Sequence, residues 1–183
     1  PVPYTNRIDR NRDAAYMVED QRFASRRNDV ICFSTSPLTE ALTLCGPIEI
    51  VLSTSISTTD ADYIVKLIDV FPDEDSKQAG YEMLVRGDIM RGRYRNSFTK
   101  PEPFVPNKMA RVRFSLADVA HTFPKGHRIM VQIQSSWFPL ADRNPQQLVN
   151  IYRCRPGDFV PTTVRIFHDA THASKLILPV LRP

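Results

Sequence analysis

Between Arg111 and Leu116 apolar and polar residues alternate without a break: Val112, Phe114 and Leu116 are interleaved with Arg111, Arg113 and Ser115. The pattern returns from His127 to Ser135, where Ile129, Val131 and Ile133 alternate with Arg128, Met130, Gln132 and Gln134. A period of two places one set of side chains on each face of a strand, so both segments read as strands with one face on a core. No long segment carries the 3.6-residue apolar stripe that an amphipathic helix needs. The chain is therefore restricted to sheets.

Residues 63–70 depart from alternation, because apolar side chains occupy both parities: Tyr63, Val65 and Leu67 against Ile64, Ile68 and Val70. Such a strand is covered on both faces and lies in the middle of a sheet. Further strands are expected at 30–34, 48–55, 81–88, 164–167 and 176–180. Pro72-Asp73, followed by acidic residues and Gly80, marks a turn between two of them. Fifteen prolines against six glycines join these segments through rigid loops. About eight turn-separated strands predict an all-β fold, a β-sandwich or jelly roll.

At 183 residues the chain has room for one domain with a substantial core. Residues 1–29 are polar, with Arg7, Asp9, Arg10, Glu19, Asp20 and Arg22 among few core-forming side chains, and read as an extended lead-in or strap. The domain proper is expected over 30–183. Lys100–Pro106, with three prolines, reads as an irregular crossing loop. The chain opens at Pro1 rather than at a methionine, which leads us to expect further polypeptide upstream.

Apolar residues make up 42% and charged residues 24%, a globular profile. No apolar run is long enough for a bilayer-crossing helix, and no membrane partner is expected. The net charge of +4 is spread along the chain instead of gathering on one element, so no nucleic-acid partner is expected either. Arg91, Arg93 and Arg95 alternate as on a solvated strand face. Cys32, Cys45 and Cys154 show no C-x-x-C spacing and read as ordinary thiols.

Catalytic patterns are missing from the residues. A serine-hydrolase elbow, G-x-S-x-G, needs small neighbours around the nucleophile, and the glycines at 46, 80, 87, 92, 126 and 157 provide none. The same positions exclude a phosphate-cradling loop, and no cofactor is expected. His168 and His172 are four apart, but in turn-like surroundings that spacing has no helical meaning. Asp60 and Asp62 bring two carboxylates together, a beginning of a hard-cation site. A full calcium site needs six or more oxygens, so a turn and an arginine pair are the preferred reading. The stretch from Ser135 to Pro145 holds the single tryptophan, Trp137, with Phe138 and Arg143. Aromatics beside arginine suit an interface anchor or, equally, a cap on the core.

Several segments in order resemble one known domain: Tyr16–Phe23, Gly46-Pro47-Ile48, Asp60–Val70, Arg91–Arg95, Phe123–Arg128, and Ser135–Pro139 with Asp142–Pro145. Together they resemble the C-terminal domain of the X-Pro dipeptidyl-peptidase family, which includes cocaine esterases, α-amino-acid ester hydrolases and acylases. The resemblance implies a galactose-binding-like jelly roll packed against an α/β-hydrolase domain of the same polypeptide. It implies that the Ser-Asp-His triad lies in that other domain, so no catalytic residue is carried over to this chain. Trp137, Phe138 and Arg143 become the expected contacts with the hydrolase domain or its substrate entrance. Homo-oligomer contacts and a periplasmic or secreted location are further implications. A competing reading is a free-standing carbohydrate-binding module using Trp137, Tyr152, Asp142 and Asn144. A third, an independent enzyme using His168 or His172, requires turnover by this chain alone.

Overall fold

The computed structural model describes residues 18–74 and 77–181. One helical turn, α1 (Arg22–Ser25), precedes eight strands. These are β1 (Ile31–Ser34), β2 (Leu42–Ile56), β3 (Asp62–Val70), β4 (Glu82–Arg91), β5 (Ala110–Phe123), β6 (Arg128–Gln134), β7 (Val164–Ile166) and β8 (Lys175–Ile177). All pairings are antiparallel. One sheet runs β1-β6-β3-β4; in the other, β2 pairs with β5 on one side and with β7 and β8, end to end, on the other. The inner faces share one apolar core, in which Tyr63, Val65 and Leu67 of β3 meet Ile48, Ile50 and Leu52 of β2 and Val112 and Leu116 of β5. This is a jelly-roll-like sandwich, as the alternation predicted.

Two strands are longer than the sequence patterns indicate, and the reason is a bulge. Gly46 pairs with Val119 and Ile48 with Leu116, so Ala117 and Asp118 together face the single residue Pro47. The extra residue shifts the inward parity of β5 from Val112 and Leu116 to Val119 and Phe123. Strict alternation therefore stops at Leu116 although the strand continues. Pro47 has no N–H to give the ladder and Gly46 has φ +126°, which together suit the irregular position. Arg86 of β4 donates to the Asp118 carbonyl at 2.6 Å, tying the bulge to the opposite sheet.

β3 is buried along its whole length, as the two-sided apolar pattern predicted. Its inner residues enter the core, while its outer face is covered by Trp137 and by the segment around α1. Gln21 and Ala24 are fully buried there, and the Gln21 N–H donates to the Glu82 carbonyl at 2.9 Å. The arginine series departs from expectation. Arg91 ends β4, residues 92–94 form a 3-10 turn, and Arg93 is buried rather than on a solvated strand face. All three cysteines are free thiols, with Cys45 exposed and Cys32 and Cys154 partly covered.

Candidate interdomain site

The turn before β3 roots a long loop. The Asp60 carboxylate, fully buried, accepts the backbone N–H of Arg93 at 2.9 Å and its Nε at 2.7 Å. Arg93 in turn donates to the carbonyls of Val149 and Gln147 at 2.7 and 3.2 Å. Asn144 Nδ2 reaches both carboxylates, Asp60 Oδ2 at 2.9 Å and Asp62 Oδ1 at 2.8 Å. Arg91 donates to Asp62 from Nε at 3.3 Å. Burial raises the Asp62 carboxyl above its ordinary range, while Asn144 and Arg91 pull it back. Leu148 N–H donates to Thr59 Oγ1 at 3.0 Å, a further tether. The two aspartates thus face nitrogen donors, an environment opposite to a cation site. Among the described residues no group of three or more His, Cys, Asp and Glu converges as metal ligands would.

The other end of the loop is seated by Trp137, only 6% exposed. Its ring packs on Ile64, Leu84 and Ile89, and Lys66 Nζ lies 4.6 Å above it. Gly87 makes the seat possible, since a Cβ there would stand 3.0 Å from the ring. Lys66 is fully buried, donates to Gln21 Oε1 at 2.8 Å, and has its pKa pushed down to about 8, mainly by burial. Between these anchors the loop turns outward. Phe138 is 57% exposed, and the exposed Arg143 guanidinium stacks on Phe159 at 4.9 Å. Of the expected contact residues, Phe138 and Arg143 thus stand on the surface and Trp137 lies beneath them.

Phe138 and Arg143 border a cavity of about 640 Å³, which adjoins a second of about 460 Å³. Asp29, Ser135, Ser136 and Gln146 line both. Asp29 is held below the usual carboxylate range by its hydrogen bonds from Arg27. His168 lies at a different place, edge-on to Phe33, and His172 bonds only locally to Asp169. The four residues of the carbohydrate reading do not share a surface role, since Trp137 and Asn144 are buried while Asp142 and Tyr152 are exposed.

The X-Pro dipeptidyl-peptidase C-terminal non-catalytic domain family matches residues 7–177. This chain belongs to it. The chain is 34% identical over 163 residues to the cocaine esterase of Rhodococcus sp. (strain MB1 Bresler), covering 89% of this chain and 27% of that protein. Among solved structures it is similar to an alpha-amino acid ester hydrolase, with 46% identity and a TM-score of 0.88 over 91% of this chain. An aminopeptidase from a marine sediment Thaumarchaeota archaeon gives 43% identity and a TM-score of 0.87, again over 91%. The chain spans 28% of each of those two structures. These relatives are larger proteins in which such a domain forms one part.

Sequence reading located the loop through its tryptophan and expected an arginine beside the aspartates, as Arg93 and Arg91 are, but did not join them to the loop. Arg93 and Asn144 lie 33 and 84 positions from Asp60, and spacing alone does not bring them together. Lys66 and Asp69 are the two charged residues within the apolar 63–70 stretch, and a charge in such a setting signals a buried partner.

Proposed function

We propose that this domain is the accessory part of a serine hydrolase whose α/β-hydrolase domain belongs to the same polypeptide. It packs on that domain and helps to wall the active-site entrance. In this reading residues 1–29 are the strap that leads in from the hydrolase domain, and 30–183 form the jelly roll. The names of the relatives, two ester hydrolases and an aminopeptidase, support an ester or amide substrate. A serine in the hydrolase domain would attack the carbonyl, the alcohol or amine would leave, and water would then cleave the acyl-enzyme.

The observation that carries the proposal is the loop from Ser135 to Val149. Its roots, Trp137 and Asn144, are buried, and Asn144 is hydrogen-bonded to both aspartates, yet its tip presents an apolar ring and a guanidinium to the outside. Exposed aromatic and arginine side chains on a rigid support are what interface anchors require. The test uses the full-length protein with Phe138→Ala, Arg143→Ala and Trp137→Ala. A fluorophosphonate probe reports the serine, and p-nitrophenyl esters, an amino-acid ester and an X-Pro-nitroanilide report turnover. We expect serine labelling to persist while kcat/KM falls several-fold in each variant, and the 183-residue chain alone to be inert. Unchanged turnover and domain arrangement in all three variants would overturn the assignment.

A further inference from the structure

The outer edge of β2 is interrupted in its middle. β7 pairs with Thr54, Ser55 and Ile56 and β8 with Glu49, Ile50 and Val51, and between them the chain leaves the sheet over residues 167–174. Ser53 keeps its hydrogen bonds across the gap. Its N–H donates to Ser174 Oγ at 3.0 Å, and its carbonyl accepts from the Phe167 N–H at 2.8 Å. Ser174 Oγ donates in turn to the Phe167 carbonyl at 2.7 Å, which closes the base of the excursion. Beside this gap lies a cavity of about 190 Å³ between the two sheets, walled by Ile50, Leu52, Val65, Val131, Ile133 and Leu176. Four of those, Ile50, Leu52, Val65 and Ile133, are buried, so the cavity reaches the core. At its mouth Phe33, on the edge strand β1, meets His168 of the excursion edge-on at 6.0 Å, and Lys175 of β8 completes the rim.

We propose that this cavity binds a small apolar carboxylate, a single ring or short branched chain bearing one carboxyl group. The body of the ligand follows from the walls. They are aliphatic, and their one hydroxyl, Ser174, is engaged with Ser53 and Phe167. Little is left to hold water, which needs about two to four polar partners. A dry apolar cavity of about 150 Å³ takes a benzene-sized guest, so about 190 Å³ suits a ring with one substituent. The head group follows from the mouth. Lys175 and His168 are both exposed there, and among the described residues neither side chain has a hydrogen-bond or ion-pair partner. Asp169, the one carboxylate on the excursion, is turned onto the N–H groups of Thr171 and His172 and the His172 ring. An ammonium and an imidazole on the rim of an apolar slot select an anion whose apolar end points inward. The cavity shares no lining residue with the one that Phe138 and Arg143 border, so the proposal is independent of the accessory-domain reading.

The test follows the fluorine NMR line of 4-fluorobenzoate with the full-length protein, after treatment with the fluorophosphonate probe so that a serine active site does not contribute. Saturable broadening is expected, with weaker binding of fluorobenzene, which lacks the carboxylate, and none of fluoroacetate, which lacks the ring. Lys175→Gln and His168→Gln should each weaken 4-fluorobenzoate about 2- to 5-fold and leave fluorobenzene unchanged. Leu176→Phe fills the cavity from its partly exposed edge strand and should abolish saturable binding of both aromatic probes. Three results would overturn the proposal: no saturable binding to the wild-type protein, binding that survives in folded Leu176→Phe, or 4-fluorobenzoate affinity indifferent to both rim substitutions. The rim residues are exposed and their variants keep the native core, so the proposal stays open to refutation even where Leu176→Phe unfolds.

Discussion

β3 is flanked by buried aspartates at its two ends, and they keep different company. At the entry Asp60 and Asp62 face the guanidinium groups of Arg93 and Arg91 with Asn144 between them. At the exit Asp69 accepts from two imidazoles, His127 Nδ1 at 2.7 Å and His121 Nε2 at 2.9 Å. The first cluster joins β3 to the loop that carries Phe138 and Arg143. The second joins the two sheets, because His121 belongs to β5 and His127 directly precedes β6. One end of the strand therefore positions a surface, and the other closes the sandwich. The same residue type serves both, and the partner determines the role: a guanidinium fork reaches a carboxylate and distant loop carbonyls together, whereas an imidazole offers one donor in the plane of its ring.

The largest effect separating the two ends should come from Asp60→Ala. It leaves the buried Arg93 guanidinium without its carboxylate and should destabilise by about 3–5 kcal/mol in urea unfolding. Hydrogen exchange should rise at residues 142–150 and stay unchanged around Asp69. Uniform loss across the domain would show that the ends are not separable.

Gly92→Ala attacks the same end through the backbone. A Cβ there would stand 2.5 Å from the Ala61 carbonyl and 2.6 Å from the Phe104 ring, neither of which can swing aside. The clash should cost about 1–3 kcal/mol or more by the same unfolding assay, again with local exchange near Asp60. Asp69→Ala should cost about 1–3 kcal/mol by leaving two ring N–H donors unpaired. Its signature is faster exchange in β5 and β6 with the 142–150 loop intact; exchange in that loop would break the contrast.

The smallest expected effect lies midway along the strand, at Lys66. Its pKa of about 8 in the folded chain lies below the ordinary value of 10.5, so between those pH values the unfolded chain holds a proton that the folded one has released. Stability should therefore rise with pH from about 8 to 10.5. Lys66→Met should abolish that rise and change stability near neutral pH by only about 1 kcal/mol, because the lost bond to Gln21 offsets the relief from burying a charge. A wild-type stability profile that is flat across this range would show that Lys66 is not held in an apolar setting.

The legible part of the fold is the part written in short-range pattern. Val112, Phe114 and Leu116 announce a strand because neighbouring side chains of a strand point to opposite faces, whatever the strand pairs with. The same logic failed for Arg91, Arg93 and Arg95, where local alternation mimicked a strand face. The chain instead turns at Gly92, and Arg93 is drawn inward by Asp60, a residue 33 positions earlier. In the candidate site Trp137 was visible as the single tryptophan after a patterned strand. That it would lie under the loop and not on its tip depended on the space left by Gly87, 50 positions away in the chain.

The sequence by itself therefore determined the strands, the two-sided burial of β3, the sandwich and the family, because periodicity and ordered motifs are local or additive along the chain. The tertiary structure alone decided which aspartate meets arginine and which meets histidine. It also decided that Asn144 bonds Asp60 across 84 positions and that Gln134 and Gln146 line one cavity with unpaired oxygens. The physical reason is that a hydrogen bond is defined to a few tenths of an ångström in three dimensions. Sequence spacing holds that information only where the backbone between the partners is a regular element.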